Sequence, residues 1–551
     1  MRFVTKWYKI VAIAFAIIVL PGTVEADCYK QSVNNNKEKF SDNTEDFTTD
    51  GPYVFYKKKM VIVRSVERQS NGHLAAKKEI YTSKKDVPLL TCKVDDGSNA
   101  SFKIKLHSDY TVPPSVYPNP EKIFAIADIE GNFSAFATTL QGNGIINDKF
   151  KWTYGEGHLV LVGDFFDRGN NVTEVLWLIY ELERQAAQKG GMVHFINGNH
   201  EEMNFRGDDR YVKEKYFIVA SAFNTKYLSL YASNTELGKW LRSKNVIEKI
   251  GNVLFTHGGL SPQLADCHLP LKEINRVTRV NYGKPAWKIE IDGGTAKIVY
   301  SMIGPMWYRG YFNGNLETQQ VKSLLGIYGA RAVVVGHTIV PNVSSIYENR
   351  VIAIDVKHCT VIADGTSNAL IIENNEFFAV NAEGHRSPVY PMLTKDEVLK
   401  VFAGIRENDQ NVVNQFLING NNINKYYSSK QYTLLHYAIK NNQPQIVALL
   451  LTNGANIEQT FEEQTPLMYA TKMQHLEIAD FLISHGADVN TLNHDQQTAL
   501  IFCAKYGTLE LSIFLIENGA NPDIRDVKGR KAIDYALKHD NKDVADYLKK
   551  L

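Results

Sequence analysis

The chain has 551 residues, with 61 Lys and Arg against 60 Asp and Glu, so its formal charge is +1. This balance gives no global field that would attract nucleic acid or an anionic membrane, and we expect neither as a partner. The length predicts three or four domains, and 44% hydrophobic with 22% charged residues is typical of a folded globular protein.

The N-terminus has the pattern of a secretory signal peptide. Three basic residues among the first nine precede an apolar run over residues 10–20, and a small-residue cleavage site ends at Ala26. The run is too short to cross a bilayer core of roughly 30 Å, although an uncleaved anchor remains the alternative. We therefore expect residues 1–26 to be removed, the mature chain to be secreted or periplasmic, and no membrane span in it.

Residues 27–117 form a β-rich N-terminal segment by prediction, because short apolar runs alternate there with Gly, Asn and Lys turns. The basic triplet at residues 57–59 is interpreted as a solvated strand edge rather than a ligand patch. Four prolines within residues 112–120 predict a linker into the next unit.

Residues 118–391 alternate β-rich apolar runs with helical stretches, which predicts an α/β domain. The runs of interest cover residues 123–127, 159–162, 192–196, 253–255 and 332–335. Each ends in polar residues. Because sites in open α/β sheets lie beyond the carboxyl ends of strands, we expect the chemistry at these five positions.

The C-terminal part repeats itself every 32 or 33 residues. Four copies of one pattern begin at Thr433, Thr465, Thr498 and Lys531, and a series of similarly spaced glycines comprises Gly420, Gly454, Gly486 and Gly519. Each unit predicts a threonine-capped helix, a second helix and a glycine at the C-cap. This period resembles the ankyrin repeat, and we expect an all-α solenoid of about five repeats over residues 394–551 that binds a protein partner.

Five polar clusters follow the five strands. They are residues 128–132 (DIEGN), 163–169 (GDFFDRG), 198–201 (GNHE), 257–259 (HGG) and 336–338 (GHT). Carboxylates, an amide oxygen and imidazoles are ligands for divalent first-row cations. Two such ions about 3.5 to 4 Å apart need a shared carboxylate, and Asp164, between two glycine-flanked strand ends, can reach both.

The order of these clusters closely resembles the calcineurin-like metallophosphoesterases of the phosphoprotein phosphatase superfamily. Residues 203–204, 207–211 and 304–310 point to its Shewanella-like branch. The resemblance implies an αββα sandwich and a phosphoric monoester hydrolase that attacks phosphorus with a hydroxide bridging two metal ions. The substrate would be a phosphorylated protein or a small phosphoester.

The resemblance also implies residue roles. Asp128, Glu130 and Asp164 would hold one metal, and Asp164, Asn199, His257 and His337 the other. Arg168, Asn199 and Arg309 would bind phosphate oxygens, and His200 would act as the general acid, held by Asp167.

Glu130 stands where the family has a metal-binding histidine, and this departure bears on both metal and function. An added carboxylate favours harder ions, so Mn²⁺ is expected first, with Mg²⁺, Zn²⁺ or iron as alternatives. A phosphoprotein phosphatase is the first interpretation. The alternatives are hydrolysis of a nucleotide or dinucleoside polyphosphate, and an inactive phosphatase-like scaffold, which only Glu130 motivates.

Overall fold

The computed structural model describes residues 47–358, 368–392, 395–418 and 432–551, together with residues 421, 423, 424 and 427. The predicted signal peptide over residues 1–26 and the predicted helix-ending Gly420 lie outside this part of the chain. No helix among the described residues is long and apolar enough to cross a membrane.

The N-terminal segment is β-rich, as expected. A three-stranded antiparallel sheet consists of β1 (Thr49–Lys57), β2 (Met60–Arg68) and β3 (Leu74–Tyr81), and a hairpin follows with β4 (Leu90–Lys93) and β5 (Ser101–Ile104). The segment is anchored to the next domain by buried polar contacts. The Trp177 indole donates to the carbonyl of Pro52 over 2.7 Å, and the Tyr53 hydroxyl lies 2.9 Å from that of Thr173.

Two mixed sheets form the central domain. The six-stranded sheet has the order β17-β16-β15-β7-β8-β9, with β7 (Lys122–Ile126), β8 (His158–Val162), β9 (Met192–Ile196), β15 (Ala369–Glu373), β16 (Glu376–Val380) and β17 (Arg386–Pro388). The seven-stranded sheet has the order β18-β13-β14-β12-β11-β10-β6, with β6 (Val116–Tyr117), β10 (Ile247–Ile250), β11 (Val253–Thr256), β12 (Ala332–Val335), β13 (Ser344–Ile346), β14 (Val351–Ala353) and β18 (Tyr390–Pro391). The segment expected to be a linker thus supplies β6, which pairs with β10.

Alternation along the strands explains why the sheets stack. In β7, Ile123 and Ala125 pack in one core with residues of the second sheet, whereas Phe124 and Ile126 pack in the other core, against the helices and the N-terminal segment. A strand that is buried on both faces is expected to be apolar along most of its length. Strand β8 is buried at all five positions, and four of them are Leu or Val. The predicted αββα arrangement follows from this double burial.

Helices cover the two sheets. They are α1 (Phe133–Gly142), α2 (Val172–Ala187), α3 (Asn199–Arg206), α4 (Glu214–Ala222), α5 (Glu236–Ser243), α6 (Pro262–Ala265), α7 (Leu271–Asn281), α8 (Ala286–Asp292), α9 (Gly294–Val299) and α10 (Thr318–Ile327). The segment Tyr227–Tyr231 forms a 3-10 turn between α4 and α5.

Five helix pairs follow in the described C-terminal part. They are α11 (Lys395–Arg406) with α12 (Gln410–Ile418), α13 (Leu434–Lys440) with α14 (Pro444–Thr452), α15 (Pro466–Lys472) with α16 (Leu476–Ser484), α17 (Ala499–Tyr506) with α18 (Leu509–Glu517), and α19 (Ala532–Lys538) with α20 (Lys542–Leu548). The side chains of Thr433, Thr465 and Thr498 each accept from a backbone N–H of the helix that follows. The threonines therefore supply the N-caps that the repeat pattern predicts.

Candidate active site

Five strand ends bring the polar clusters to one edge of the sandwich. Strands β7, β8 and β9 are mutually parallel, as are β11 and β12, so their carboxyl ends point the same way. Asp128, Asp164 and Asn199 follow the first three strands, and His257 and His337 follow the other two. All five side chains are buried.

Several non-glycine residues at this edge have strained, left-handed backbone conformations, and these conformations set the directions of their side chains. Six residues of the two acidic clusters and the last strand end have left-handed backbone with φ between 49° and 70°: Asp128, Glu130, Asp164, Asp167, Arg168 and His337. Non-glycine residues rarely adopt this region, and each costs about 1 to 3 kcal/mol. Backbone hydrogen bonds hold them in place, including Asp128 N–H to Gly163 (3.0 Å) and Glu130 N–H to Asp164 (3.0 Å).

Glu201 holds together the segment that follows β8 and the start of α3. Its buried carboxylate accepts three backbone N–H groups, from Gly198 (2.7 Å), Asp164 (2.9 Å) and Phe165 (2.8 Å). The GNHE cluster is thereby fixed to the acidic cluster that follows β8. Sequence reasoning assigned Glu201 no role, because this residue contributes only to backbone geometry.

Three side chains converge at His257. His257 Nδ1 lies 2.8 Å from the carbonyl of Val162, which can only accept, so Nδ1 carries a hydrogen. Nε2 lies 3.0 Å from Asn199 Oδ1 and 3.0 Å from Asp164 Oδ2. Burial lowers the pKa of the ring, but Asp164 outweighs it and raises the value overall. A cation bound at this point would take the place of a proton on Nε2 and accept lone pairs from all three atoms.

His337 completes this group. Its Nε2 lies 3.2 Å from the carbonyl of Trp307, which leaves the lone pair on Nδ1. Ligand atoms of Asp164, His257 and His337 all lie within 4.8 Å of one another, and among the described residues this is the one cluster of acidic, His and Cys side chains with such spacing. The donor set of carboxylate, imidazole and amide is the one that divalent first-row metals take.

The electrostatics of the site also favour a cation. Burial, with Asp355 and Asp164 nearby, raises the pKa of Asp128 well above its usual value. Burial raises the pKa of Asp355 to about 6, with a further contribution from Asp164. Burial likewise opposes ionisation of Asp164, but His257 and His200 together lower its pKa below the usual range. The surroundings thus oppose ionisation of two of the three carboxyl groups overall, and bound cations would offset that cost and stabilise their charged forms.

His200 is held beside this group by a chain of side chains. Its Nδ1 lies 2.6 Å from Asp167 Oδ2, and Asn204 donates from Nδ2 to the other oxygen of Asp167 over 3.0 Å. The hydroxyl of Tyr227 donates in turn to Asn204 Oδ1. Burial lowers the pKa of His200, but Asp164 and Asp167 outweigh it and raise the value overall. A buried imidazole oriented by a carboxylate is the arrangement of a general acid.

Glu130 lies apart from the converging group. Its carboxylate forms an ion pair with the guanidinium of Arg168, both partly exposed. The structure therefore places Glu130 beside a predicted phosphate-binding residue. Its role as a ligand of the first metal remains a prediction.

Arg309, the second predicted phosphate-binding arginine, lies beside His337. Arg309 is exposed, and its guanidinium reaches Thr338 Oγ1 at 3.3 Å and His337 Nδ1 at 3.5 Å. Arg168 and Arg309 thus present donor groups toward solvent. Planar guanidinium groups beside a metal site can bind phosphate oxygens.

An open cleft of about 360 Å³ gives solvent access to the site. Asp128, Glu130, Arg168, Asp355 and His358 are among the residues that line it. Asp355 therefore lies at the site. An aromatic residue, Tyr211, places its ring 5.2 Å from that of His200, and in the sequence it stood out only as part of a motif.

Comparisons with known proteins agree with this arrangement. Residues 121–341 match the family described as calcineurin-like phosphoesterase, and residues 401–493 and 487–551 match ankyrin repeats. The Shewanella-like protein phosphatase 2 of Arabidopsis thaliana is 23% identical over 330 residues, which cover 49% of this chain and 82% of that protein. The Shewanella-like protein phosphatase 1 of Plasmodium berghei is 30% identical over 229 residues, 40% of this chain and 62% of that protein.

Solved structures extend the comparison to the fold. The crystal structure of a cold-active protein-tyrosine phosphatase of a psychrophilic Shewanella species is 33% identical, with a TM-score of 0.55. The match covers 62% of this chain and 98% of that one, so it extends beyond the strands that carry the polar clusters.

Proposed function

The chain belongs to the calcineurin-like phosphoesterases, with ankyrin repeats after the catalytic domain, and we propose that it is a metal-dependent phosphomonoester hydrolase acting on phosphoproteins. The observation that carries the proposal is the convergence of potential metal-ligand atoms of Asp164, His257 and Asn199 next to the oriented imidazole of His200.

The family implies divalent metal ions, and the donor set fits them. Asp164, Asn199, His257 and His337 would hold one ion, and Asp128 and Asp164, with Glu130 turned from Arg168, the other. Ions held there would lower the pKa of an attacking water and offset charge on the phosphoryl oxygens. The carboxylate-rich set favours Mn²⁺ over Zn²⁺.

Side chains of this protein bind the phosphate group and donate the proton. Arg168 and Arg309 bind the phosphate oxygens and orient the ester. His200, held by Asp167 and Asn204, donates a proton to the leaving oxygen as the bond to phosphorus breaks. The buried side chains beneath them keep the reacting atoms in one geometry.

We assign phosphotyrosine as the favoured residue. Two observations support this: the similarity to a cold-active protein-tyrosine phosphatase of a Shewanella species, and the Tyr211 ring, which lies 5.2 Å from that of His200 and offers an aromatic leaving group a surface to pack on. A shallow, open cleft also suits a protein side chain better than a nucleotide, because it offers no enclosed pocket for a base.

The ankyrin array and the N-terminus complete the proposal. Ankyrin stacks present extended surfaces to proteins, and we assign the array a protein partner. We place the mature chain outside the cytoplasm on the basis of the predicted signal peptide. N-terminal sequencing of the protein from its source would then begin at Asp27, and an intact Met1 would contradict the assignment.

The experiment is hydrolysis of an aryl phosphate by residues 27–551 with Mn²⁺, Mg²⁺, Zn²⁺, Ca²⁺ or chelator. Activity that requires a metal and disappears in Asp164→Asn supports the proposal. A folded, metal-loaded chain with no activity on aryl phosphates or phosphopeptides would overturn it.

A further inference from the structure

Two neighbouring cavities lie between the segment that follows α4 and the N-terminal sheet. They have volumes of about 690 Å³ and 550 Å³ and share the lining residues Asn224, Thr225 and Ser229. We call the pair the docking groove. Its inner part is the cavity that Asp209 and Leu228 line, and its outer part is the cavity that Lys57 and Lys78 line.

Two lining residues connect the inner part to the catalytic residues. Asp209 lies two residues before Tyr211, the ring that stands 5.2 Å from that of His200. Tyr227, which also lines the inner part, donates its hydroxyl to Asn204, the residue that holds Asp167. We therefore take the inner part as the end of the docking groove nearer to His200.

The inner part has two large apolar side chains among its polar lining. Phe217 and Leu228 line it with 39% and 42% of their surface exposed. A bound chain with aliphatic side chains would cover both of them and remove this apolar surface from water.

The outer part is cationic without compensation. Arg64 and Lys78 are direct partners across β2 and β3, and Lys57 lies at the end of the neighbouring strand. Like charges directly opposite each other destabilise a sheet. Within the described part of the chain, no carboxylate lines this cavity, and none of the three cations forms an ion pair.

The environment of Arg64 also favours an anionic ligand. Its guanidinium lies 4.3 Å from the centre of the Phe223 ring and donates to the Phe223 carbonyl over 2.7 Å, while Nε is buried and has no partner among the described residues. Burial lowers the pKa of this side chain. The fold therefore fixes a partly desolvated cation at the groove wall, where an anionic ligand would stabilise it.

We propose that the docking groove binds an acidic segment of the substrate protein that also carries aliphatic side chains, remote from the phosphorylated residue. The acidic side chains would pair with Lys57, Arg64 and Lys78, and the aliphatic ones would cover Phe217 and Leu228. This inference rests on the proposed phosphatase function. It gives the lysine triplet, interpreted above as a solvated edge, a part in substrate selection through Lys57.

The test compares two substrates with one pair of variants. The substrates are an aryl phosphate and a phosphotyrosine peptide with an acidic, leucine-containing extension of roughly 12 residues, which spans about 40 Å when extended. The variants are Lys57→Glu/Lys78→Glu and the control Lys149→Glu/Lys189→Glu, which changes net charge equally at exposed positions away from the groove. We expect kcat/KM for the peptide to fall about tenfold in the first variant, mainly through KM, and aryl phosphate hydrolysis to stay within about twofold.

A binding measurement separates this inference from the catalytic proposal. The same peptide without its phosphate is labelled and titrated with the full chain, with fluorescence anisotropy as the readout. Weaker binding to Lys57→Glu/Lys78→Glu than to the control supports docking, even if no phosphatase activity is found. Equal binding of a peptide with Gln and Asn in place of its acids, equal losses in the two variants, or an unchanged kcat/KM for the peptide would overturn the proposal.

Discussion

At the residue scale, the active site gathers potential metal ligands at one point. His257 Nε2 lies 3.0 Å from Asn199 Oδ1 and from Asp164 Oδ2, and the ring is fixed there by the contact of Nδ1 with the Val162 carbonyl. Burying an acid, an imidazole and an amide together costs desolvation energy. Because their geometry is set before an ion binds, the site is preorganised for one.

Asn204 positions the proton donor, so its loss should affect poor leaving groups most. In Asn204→Asp the new carboxylate cannot donate to Asp167 and repels it, which frees His200 to turn away. We expect kcat to fall about 10²-fold for an alkyl phosphate and only severalfold for a nitrophenyl phosphate. The same isosteric change at exposed Asn313 serves as the control. An equal loss on both esters would show damage to the whole site instead.

Glu130 gives a second residue-scale prediction. Glu130→His supplies a softer ligand and removes the partner of Arg168, so we expect activity to persist with a preference moved from Mn²⁺ toward Zn²⁺. The measurement is hydrolysis of an aryl phosphate across a series of metals in both proteins. Complete loss with every metal would argue against a ligand role for Glu130.

The sequence predicted much of the site, but not the contacts that run through backbone groups. Asp164, His257 and His337 could be named because their residue types match a known order of motifs. Glu201 and Asn204 could not, since their function is to hold neighbours, and a role of that kind has no residue-type signature. Glu130 shows that a motif position does not fix a side-chain contact. Its position in the motif indicates a metal ligand, whereas its side chain pairs with Arg168.

At the element scale, tight glycine contacts let the strand ends meet. Gly198 precedes α3 with ordinary φ of −93°, yet a Cβ there would lie 2.3 Å from Asp164 Oδ1 and 2.8 Å from Asp164 N. Sterics alone therefore require glycine at this position. The two parallel strands β8 and β9 could not otherwise bring their polar clusters together.

Gly198→Ala should consequently displace Asp164. We expect a loss of activity of about 10² or more, through misplacement of a group that positions the reaction. Gly326→Ala in α10 is the control, because nothing lies within 4 Å of its added Cβ, and it should stabilise the fold by up to about 1 kcal/mol. Thermal unfolding and aryl phosphate hydrolysis report the two effects. Full activity in Gly198→Ala would refute the steric requirement.

The ankyrin helices carry a pH-dependent contact. His436 accepts at Nδ1 from the Thr433 hydroxyl (2.7 Å) and donates from Nε2 to the Gln464 carbonyl (3.2 Å), and burial lowers its pKa to about 4. The folded chain thus binds fewer protons at this ring than the unfolded chain, whose pKa there lies near the usual value of about 6.5. The contribution to stability is complete above about pH 6.5 and is lost as the pH falls toward 4, by about 3 kcal/mol in all.

Denaturant unfolding of the full chain, followed through its ankyrin helices at pH 7 and at about pH 4.5, measures this contribution. His436→Gln should weaken the pH dependence, and His494→Gln, at an exposed position of the same array, should leave it unchanged. An identical pH dependence in wild type and His436→Gln would rule out the assignment.

The elements themselves could largely be predicted, because continuous apolar runs and a period of 32 or 33 residues are strong signals. Strand β6 was missed. Its two residues lie among four prolines, which indicate a linker from local chemistry, and only the pairing of Val116 with Lys249 across the sheet makes them a strand. Long-range pairing of short segments leaves no periodic pattern in the sequence.

At the scale of the whole molecule, the ankyrin repeats have a core of their own. Among the described residues, the buried apolar side chains between Val401 and Leu548 form one cluster, and those of the N-terminal and central parts form two others. Parts with separate cores can have separate functions, here catalysis in one part and partner binding in another. The docking groove would add a second selective surface.

A Mn²⁺ titration by calorimetry, with aryl phosphate hydrolysis followed at each concentration, is the decisive experiment for a metal-dependent phosphatase. We expect residues 27–551 to bind Mn²⁺ and activity to rise with occupancy. Asp164→Asn, although folded, should lose the tightest binding and lower kcat by about 10³ or more. Hydrolysis that is independent of Mn²⁺, or wild-type binding and activity in Asp164→Asn, would contradict the assignment of this cluster as the catalytic metal site.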